Sequence, residues 1–457
     1  MIATEKLFFD QLDTCMAAKP AFLLVGPAVK DLHYLLPKDG PVQLAGDFAV
    51  FPIPIDEKGI TEMVPVKLGS KVPINGDPLT TGIVEEIMSG KIPSIEHKET
   101  RGGNVLNVSE GLSRLRQGGS REVPPIGTIE LYADVGKETA EDIRHDGIEV
   151  IPETDEEVRP MATGVIVTMQ TESGNTDRII FSSKPMVVHT FTLERIPRDS
   201  QHAPALAFKS GNGPDFVQEV NAFMASMYVS EIPVAYMPSS SELRVLSDWL
   251  ANPEDRELTE KRDTVYDLFQ FAEIVFANKQ EIQGLVAGWG MTPSEDAVEL
   301  IRQAEHIRPS DDERVRLQKE NIENAGKYFE YEEAGITPFD APSYHKVARG
   351  PRVVVMTDAG NPVLVKERDG AVYKATPYPT HIVSFEGAGD AFASGFTGAY
   401  ESDRAVTECI QWGLANAASV IEHVGTTTGL LDHTGIEERI GRYPDHKVDV
   451  LDENQPL

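Results

Sequence analysis

Phe385-Glu386-Gly387-Ala388-Gly389-Asp390-Ala391-Phe392 is the stretch from which the rest of the chain can be read. Two glycines bracket an alanine, an aspartate follows at once, and residues 391–400 run on as a helix of small side chains. Such a run is a loop feeding a helix N-terminus. Its glycines let backbone N–H groups crowd together and point outward, and the helix dipole adds partial positive charge at the same place. A phosphoryl group in transfer is an anion that a cradle of Gly387, Ala388 and Gly389 suits. Asp390 stands at its lip, where a carboxylate can take the proton of an attacking hydroxyl. The same residues also serve an ordinary turn with an aspartate in the first helical turn, because short glycine motifs have low specificity.

Working outward, a chain of 457 residues has room for a large core and two to three domains' worth of structure. Its hydrophobic content of 40% with regular apolar runs indicates a globular chain. No apolar run approaches the roughly 20 residues that span a membrane. The start, Met1-Ile2-Ala3-Thr4-Glu5-Lys6, lacks the pattern of a secretory signal. Cys15 and Cys409 lie far apart, so neither a disulfide framework nor a cysteine metal site is expected. A cytoplasmic protein is the simplest expectation. The net charge of −31 repels nucleic acid and anionic membranes, and neither is expected as a partner. We read the surplus as surface solvation, with adaptation to a salty cytoplasm as the alternative. A phosphate-binding protein so charged depends on local helix ends and a metal ion.

Residues 21–29 are a continuous apolar run, as in a buried strand. The run ends at Gly26-Pro27, with Asp31 and His33 just beyond. Ligand-contacting residues of open α/β sheets gather at the carboxyl ends of strands, which singles out Asp31. A solvated loop acid is the other reading. His33, His189 and His381 have no partner at a telling spacing and are read as ordinary. From 41 to about 100 Pro and Gly recur between short strand-like pieces at 42–44, 48–52 and 64–68, set apart from the main layer. Arg101-Gly102-Gly103-Asn104-Val105-Leu106-Asn107 then leads into a helix over 108–115. The glycine pair allows a hinge or close ligand approach, and Asn104 and Asn107 suit a polyol. A capped helix after a flexible turn uses the same residues.

Strands at 125–132, 148–151, 187–191, 205–208, 233–237, 274–277 and 353–357 alternate with helices at 137–145, 216–227, 243–250 and 262–273. The alternation predicts a mostly parallel sheet covered by helices on both faces. Ser173-Gly174-Asn175 interrupts it with a hairpin signal. Residues 291–345 read as charged peripheral helices, 405–423 as a helical block, and the polar tail from about 436 as frayed. After the strand at 274–277, Asn278-Lys279-Gln280-Glu281 sets an amide and a carboxylate on one face of a starting turn. That carboxylate suits the hydrated shell of magnesium. A capping box, Asn at the cap and Glu three residues on, is the favoured reading of these residues by themselves.

Taken together, Gly26 to Asp31, Gly102-Gly103-Asn104 to Asn107, Asn278 to Glu281, Thr357, Gly387-Ala388-Gly389-Asp390 and Asn416 resemble the PfkB family of the ribokinase-like superfamily, over roughly residues 20–435. The resemblance implies a three-layer α/β/α sandwich with a mostly parallel central sheet and a smaller β lid. One domain would cover 1–435, its lid from about 41–100 and 158–185, with 436–457 as a C-terminal tail. It implies an ATP-dependent kinase with a sugar or nucleoside hydroxyl as acceptor, Mg2+ bridging the donor phosphates, and pairing of lids in a homodimer. Asp390 would be the general base, and Gly387, Ala388 and Gly389 the anion hole. Asp31, Gly102, Gly103, Asn104 and Asn107 would face the acceptor. Asn278, Thr357, Gly360 and Asn416 would face the nucleotide, and Glu281 would hold magnesium through water.

The chain departs from the family pattern in the lengths of its lid segment and of the stretch between Asn278 and Thr357, and in the spelling of two motifs. Ser384-Phe385-Glu386 stands where Asp-Thr-x is usual, which puts a negative charge beside the anion hole. Thr357-Asp358-Ala359-Gly360-Asn361-Pro362 replaces the usual glycine-spaced nucleotide loop. These departures leave two alternatives: a non-catalytic nucleotide- or metabolite-binding relative acting as a sensor or assembly subunit, and, from chain length, an ADP-dependent sugar kinase.

Overall fold

The computed structural model describes residues 20–26, 29–54, 61–68, 71–74, 77–116, 128–133, 148–152, 162–170, 176–183, 205–210, 232–307 and 350–451, with positions 140, 141, 143, 144, 220, 223, 224 and 227 besides. The apolar run at the start forms the strand Pro20–Gly26, in the interior of a ten-stranded sheet. Its alternation sets the layers. Phe22 and Leu24 point to one face, against Val105, Leu112, Phe392 and Phe396, while Leu23 and Val25 point to the other, against Val265, Leu285 and Val286. A strand covered on both faces must be apolar at every position, and each of these side chains contributes roughly 1.5–3 kcal/mol by its burial.

Across the sheet the order is Asp449–Leu451, Val372–Ala375, Val363–Glu367, Val353–Thr357, Ile274–Asn278, Val234–Met237, Leu206–Ser210, Pro20–Gly26, Thr128–Ala133 and Ile148–Pro152. From Val353–Thr357 to Ile148–Pro152 every neighbouring pair is parallel. The three strands beyond Val353–Thr357 are antiparallel. Helices Asn104–Arg116, Ala388–Glu401, Val406–Val420 and His433–Arg442 cover one face. Helices Ser240–Ala251, Arg256–Phe271, Lys279–Gly288 and Ala297–Glu305 cover the other. This is the three-layer α/β/α sandwich that the alternation predicts. Among the described residues no helix is long and apolar enough to cross a membrane.

A second, five-stranded sheet runs Lys71–Pro73, Thr176–Ser183, Ala162–Gln170, Val29–Leu35, Glu96–Gly102. A three-stranded antiparallel sheet, Gln43–Ala45, Phe48–Pro54 and Thr61–Lys67, and the helix Pro78–Met88 pack with it. Leu32, Tyr34, Val165, Val167, Ile179 and Phe181 turn one face of the five-stranded sheet into this satellite core, with Phe51 and Ile83. With a period of two, Asp31, His33, Thr168 and Arg178 take the opposite face.

The strand-rich texture from 41 to 100 and an antiparallel pair, 162–170 with 176–183, are both present, the expected turn Ser173-Gly174-Asn175 lying outside the described residues, but the layer starts earlier, at Val29. Asp31 and His33, expected just past a strand end, sit inside the strand Val29–Leu35. That strand and Glu96–Gly102 were not anticipated because their alternation is carried by charged and polar residues. The end of the chain also differs from expectation. Residues 433–442 are a helix with buried Ile436 and Arg439, and 449–451 pair with 372–374 at the sheet edge. The helix is capped by Asp432, and its i, i+4 apolar pair Ile436 and Ile440 packs on the core, a signal too short to stand out among polar neighbours. The helices expected over 308–345, the strand at 187–191 and most of the helices at 137–145 and 216–227 lie outside the described residues.

Candidate active site

The glycine run forms the N-terminus of Ala388–Glu401, with Gly387 as its cap at φ 74°. That left-handed conformation and the absence of a side chain are both required: a Cβ on Gly387 would sit 2.1 Å from the Thr426 carbonyl oxygen. The first bond of the helix runs from Ala391 N to Gly387 O, 2.8 Å. The amides of Ala388 and Gly389 precede that first helical bond. Gly389 faces open space, with nothing within 4 Å of where its Cβ would be. Beside it lies a cavity of about 1270 Å³, lined by Ala388 and Gly389.

Asp390, half-buried in the first turn, is held by Asn107, whose Nδ2 donates to Oδ2 at 2.7 Å. Asn107 is oriented in turn by Thr426, whose hydroxyl donates to Asn107 Oδ1 at 3.1 Å. This chain of partners leaves the carboxylate neither lost in the core nor free to swing. On the same side, Asp31 is 8% exposed, and its Oδ2 occupies the space over Gly102, 1.7 Å from where a Cβ would be. Gly102 is thus a close-approach glycine that makes room for the Asp31 carboxylate. Asn104 turns to the strand ends instead: its Nδ2 donates to Ser210 Oγ at 3.0 Å. Gly103 sits between the two, at the start of the helix Asn104–Arg116.

At the other end of the cavity are Asn278, Thr357, Asp358, Ala359 and Gly360, at the carboxyl ends of two adjacent parallel strands and in the turn that follows. The turn is closed by Asn361, whose backbone N donates to Asp358 O at 2.8 Å, and it places Ala359 at φ 48°. The apolar side chains of Tyr378, Ile382, Leu414, Ala417 and Ile421 complete the wall. Asn278 and Glu281 form the reciprocal capping box: Glu281 N to Asn278 Oδ1 is 2.9 Å, and Asn278 N to Glu281 Oε2 is 2.7 Å.

Asn416 is placed differently from expectation. It is fully buried, its Nδ2 donating to Ala391 O and Ser394 Oγ at 3.0 Å and its Oδ1 accepting from Leu431 N at 3.0 Å. It locks the cradle helix to its neighbour, while Leu414, Ala417 and Ala418 on that neighbour reach the cavity. A helix presents different faces to core and cavity, and Asn416 falls on the core face.

Sequence reasoning missed one group. His33 is a partner of Glu386, Nδ1 to Oε2 at 2.8 Å, both side chains buried. Thr168 donates to Glu386 Oε1 at 3.4 Å, and Arg178 adds its positive field. Burial works against ionisation of Glu386, but His33, Arg178 and Thr168 outweigh it and hold the carboxyl below the usual glutamate range. The negative charge beside the cradle is thus matched by cationic and donor groups from the second sheet. Reading Val29–Leu35 as a strand would have put His33 on Asp31's face, two residues along.

Residues 289–433 match the model of the pfkB family carbohydrate kinases. The fold is ribokinase-like. A probable sugar kinase from Rhizobium etli aligns with a TM-score of 0.56 at 15% identity, covering 93% of this chain and 99% of that one. Adenosine kinase from Sinorhizobium meliloti aligns with a TM-score of 0.56 at 18% identity, covering 92% and 99%. Ribokinase from Thermotoga maritima aligns with a TM-score of 0.51 at 13% identity, covering 92% and 99%. In sequence, the chain is 38% identical over 77 residues to a cytidine kinase of Thermococcus kodakarensis, and 37% over 79 residues to adenosine kinase 2 of Arabidopsis thaliana. Each stretch is 17% of this chain, and they span 28% and 23% of those proteins.

Proposed function

We propose that the protein is a small-molecule kinase that transfers the γ-phosphoryl group of ATP to a hydroxyl of a sugar or nucleoside. The observation that carries this reading is a half-buried aspartate, fixed by Asn107, in the first turn of the helix whose N-terminal Ala388 and Gly389 line a cavity large enough for a nucleotide. Asp390 accepts the proton of the acceptor hydroxyl, and the amides of Ala388 and Gly389 take the charge that gathers on the migrating group. Asp31 orients the acceptor from the facing sheet. The Thr357–Gly360 turn and the apolar wall from Ile382 to Ile421 receive the donor's base and ribose. The second and third sheets act as the lid that excludes water from the transfer. The names of the two curated relatives make nucleosides the first acceptors to try.

Magnesium would be held here chiefly by the donor's phosphates. Among the described residues no group of three or more His, Cys, Asp or Glu would cage a metal. Glu281 offers one carboxylate oxygen to the capping box, and magnesium commonly binds through one or two carboxylates, substrate phosphates and retained water. When bound, it would neutralise charge on the donor phosphates.

The test is a thermal-shift and turnover pair. Magnesium-ATP is expected to raise the melting temperature by mass action. Asp390→Asn is expected to keep that shift while turnover with a pentose, hexose and nucleoside panel falls by roughly 10²–10⁴. Normal turnover in the variant would remove Asp390 from its role. ATP binding without turnover for any acceptor, with ATP or ADP, would favour a nucleotide-sensing relative.

A further inference from the structure

Glu386 belongs to the cradle loop by sequence and to the second sheet by contact. It immediately precedes Gly387, yet its carboxylate is held from two adjacent strands, by His33 on Val29–Leu35 and Thr168 on Ala162–Gln170, with the positive charge of Arg178 on Thr176–Ser183 acting on it from a third. Thr168 and Arg178 face each other directly across the antiparallel pair. His33 shares its strand face with Asp31, the carboxylate set over Gly102. One buried side chain therefore ties the loop that fixes the anion hole to the sheet that carries the acceptor-side acid. Few devices fix a distance between two layers so firmly, because a buried carboxylate stripped of its partners is costly and so keeps them.

We propose that Glu386 is a positioning residue, which through His33 sets the Asp31 strand at its working distance from the cradle of Gly387 to Gly389. The inference deepens the kinase reading and rests on it for its kinetic consequence, but the mechanical link stands on the contacts alone. Glu386, Thr168 and Arg178 also line the cavity beside the cradle, where the Glu386 charge opposes a bound phosphate, so neutralising it is expected to weaken acceptor use without weakening nucleotide binding. His33 and Glu386 act as one unit, so substituting either is expected to do most of the damage of substituting both.

The experiment uses the full chain and three variants: Glu386→Gln, His33→Gln and the double variant. Acceptor KM is expected to rise about tenfold or more in each single variant, with the magnesium-ATP thermal shift no smaller than in the wild type and the double variant no worse than about twofold beyond either single one. A general structural defect would instead weaken nucleotide binding and acceptor use together, and would overturn the proposal. So would an acceptor KM within twofold of the wild type. If the wild-type protein turns over no acceptor, the kinase reading fails, and hydrogen exchange decides the link by itself. Faster exchange in Glu386→Gln confined to 29–35, 162–170 and 176–183, with 274–278 and 353–357 unaltered, supports it. Unchanged exchange in those strands overturns it.

Discussion

Gly387 shows how much of the candidate site rests on one missing methyl group. It needs both a left-handed backbone and a gap of one carbon against Thr426. Gly387→Ala is expected to push the cradle away from residue 426, weakening the magnesium-ATP thermal shift and lowering stability by about 2 kcal/mol, read from a denaturant midpoint. Glu422 gives a residue-scale prediction of another kind. Arg439 forks onto it, Nη2 to Oε1 at 2.8 Å and Nη1 to Oε2 at 3.1 Å, and the Thr380 hydroxyl donates as well. The Arg439 hydrogen bonds, against some opposition from burial and with help from Thr380, pull the Glu422 carboxyl down to about 2. An unfolded glutamate titrates near 4.3, so the pair's contribution is complete above that pH and drains away as pH falls toward 2. The melting-temperature gap between the wild type and Glu422→Gln is expected to be widest above about pH 5 and to close on acidification below about 4.3. At this scale the sequence was legible where backbone geometry dictates residue type, as in Gly387 or the Asn278–Glu281 box. It was not legible where a side chain's direction decides. Asn416 and His33 were misplaced because helix face and strand face are set by distant partners, Leu431 in one case and Glu386 in the other.

Among the elements, the helices Ala388–Glu401 and Val406–Val420 approach each other through glycine. A Cβ on Gly395 would meet the Trp412 carbonyl oxygen at 2.7 Å, and one on Gly413 would strike the Phe392 ring at 2.8 Å. The small-residue run that marked this helix in the sequence is therefore a packing surface as well as a route to the cradle. Gly395→Ala should gain about 1 kcal/mol in helix propensity and lose about 1–3 kcal/mol to overpacking. The expected outcome is a net loss of stability in chemical denaturation. A net gain would mean that the two helices separate without penalty. Apolar strands such as Val353–Thr357 and Ile274–Asn278 could be read directly, since both of their faces are buried. Glu96–Gly102 is Glu-His-Lys-Glu-Thr-Arg-Gly, a strand only because Val29–Leu35 pairs with it along seven positions. No local pattern announces such an element.

For the whole molecule, the charge of −31 is a self-repulsion distributed over the surface. Between about 0.1 and 1 M salt the screening length falls from about 10 to 3 Å, so a melting temperature that climbs over that range is expected. A flat profile would mean that the acidic groups are already matched locally, as Glu386 and Glu422 are.

The central sheet ends at one side in Asp449–Leu451, three residues long and carrying an aspartate. Its neighbour Val372–Ala375 is thereby denied to any other chain, while the terminal strip itself is too brief and too charged to recruit one. This strip thus acts as a selvedge: it finishes the weave of the fabric so that a second molecule finds no loose thread to continue it.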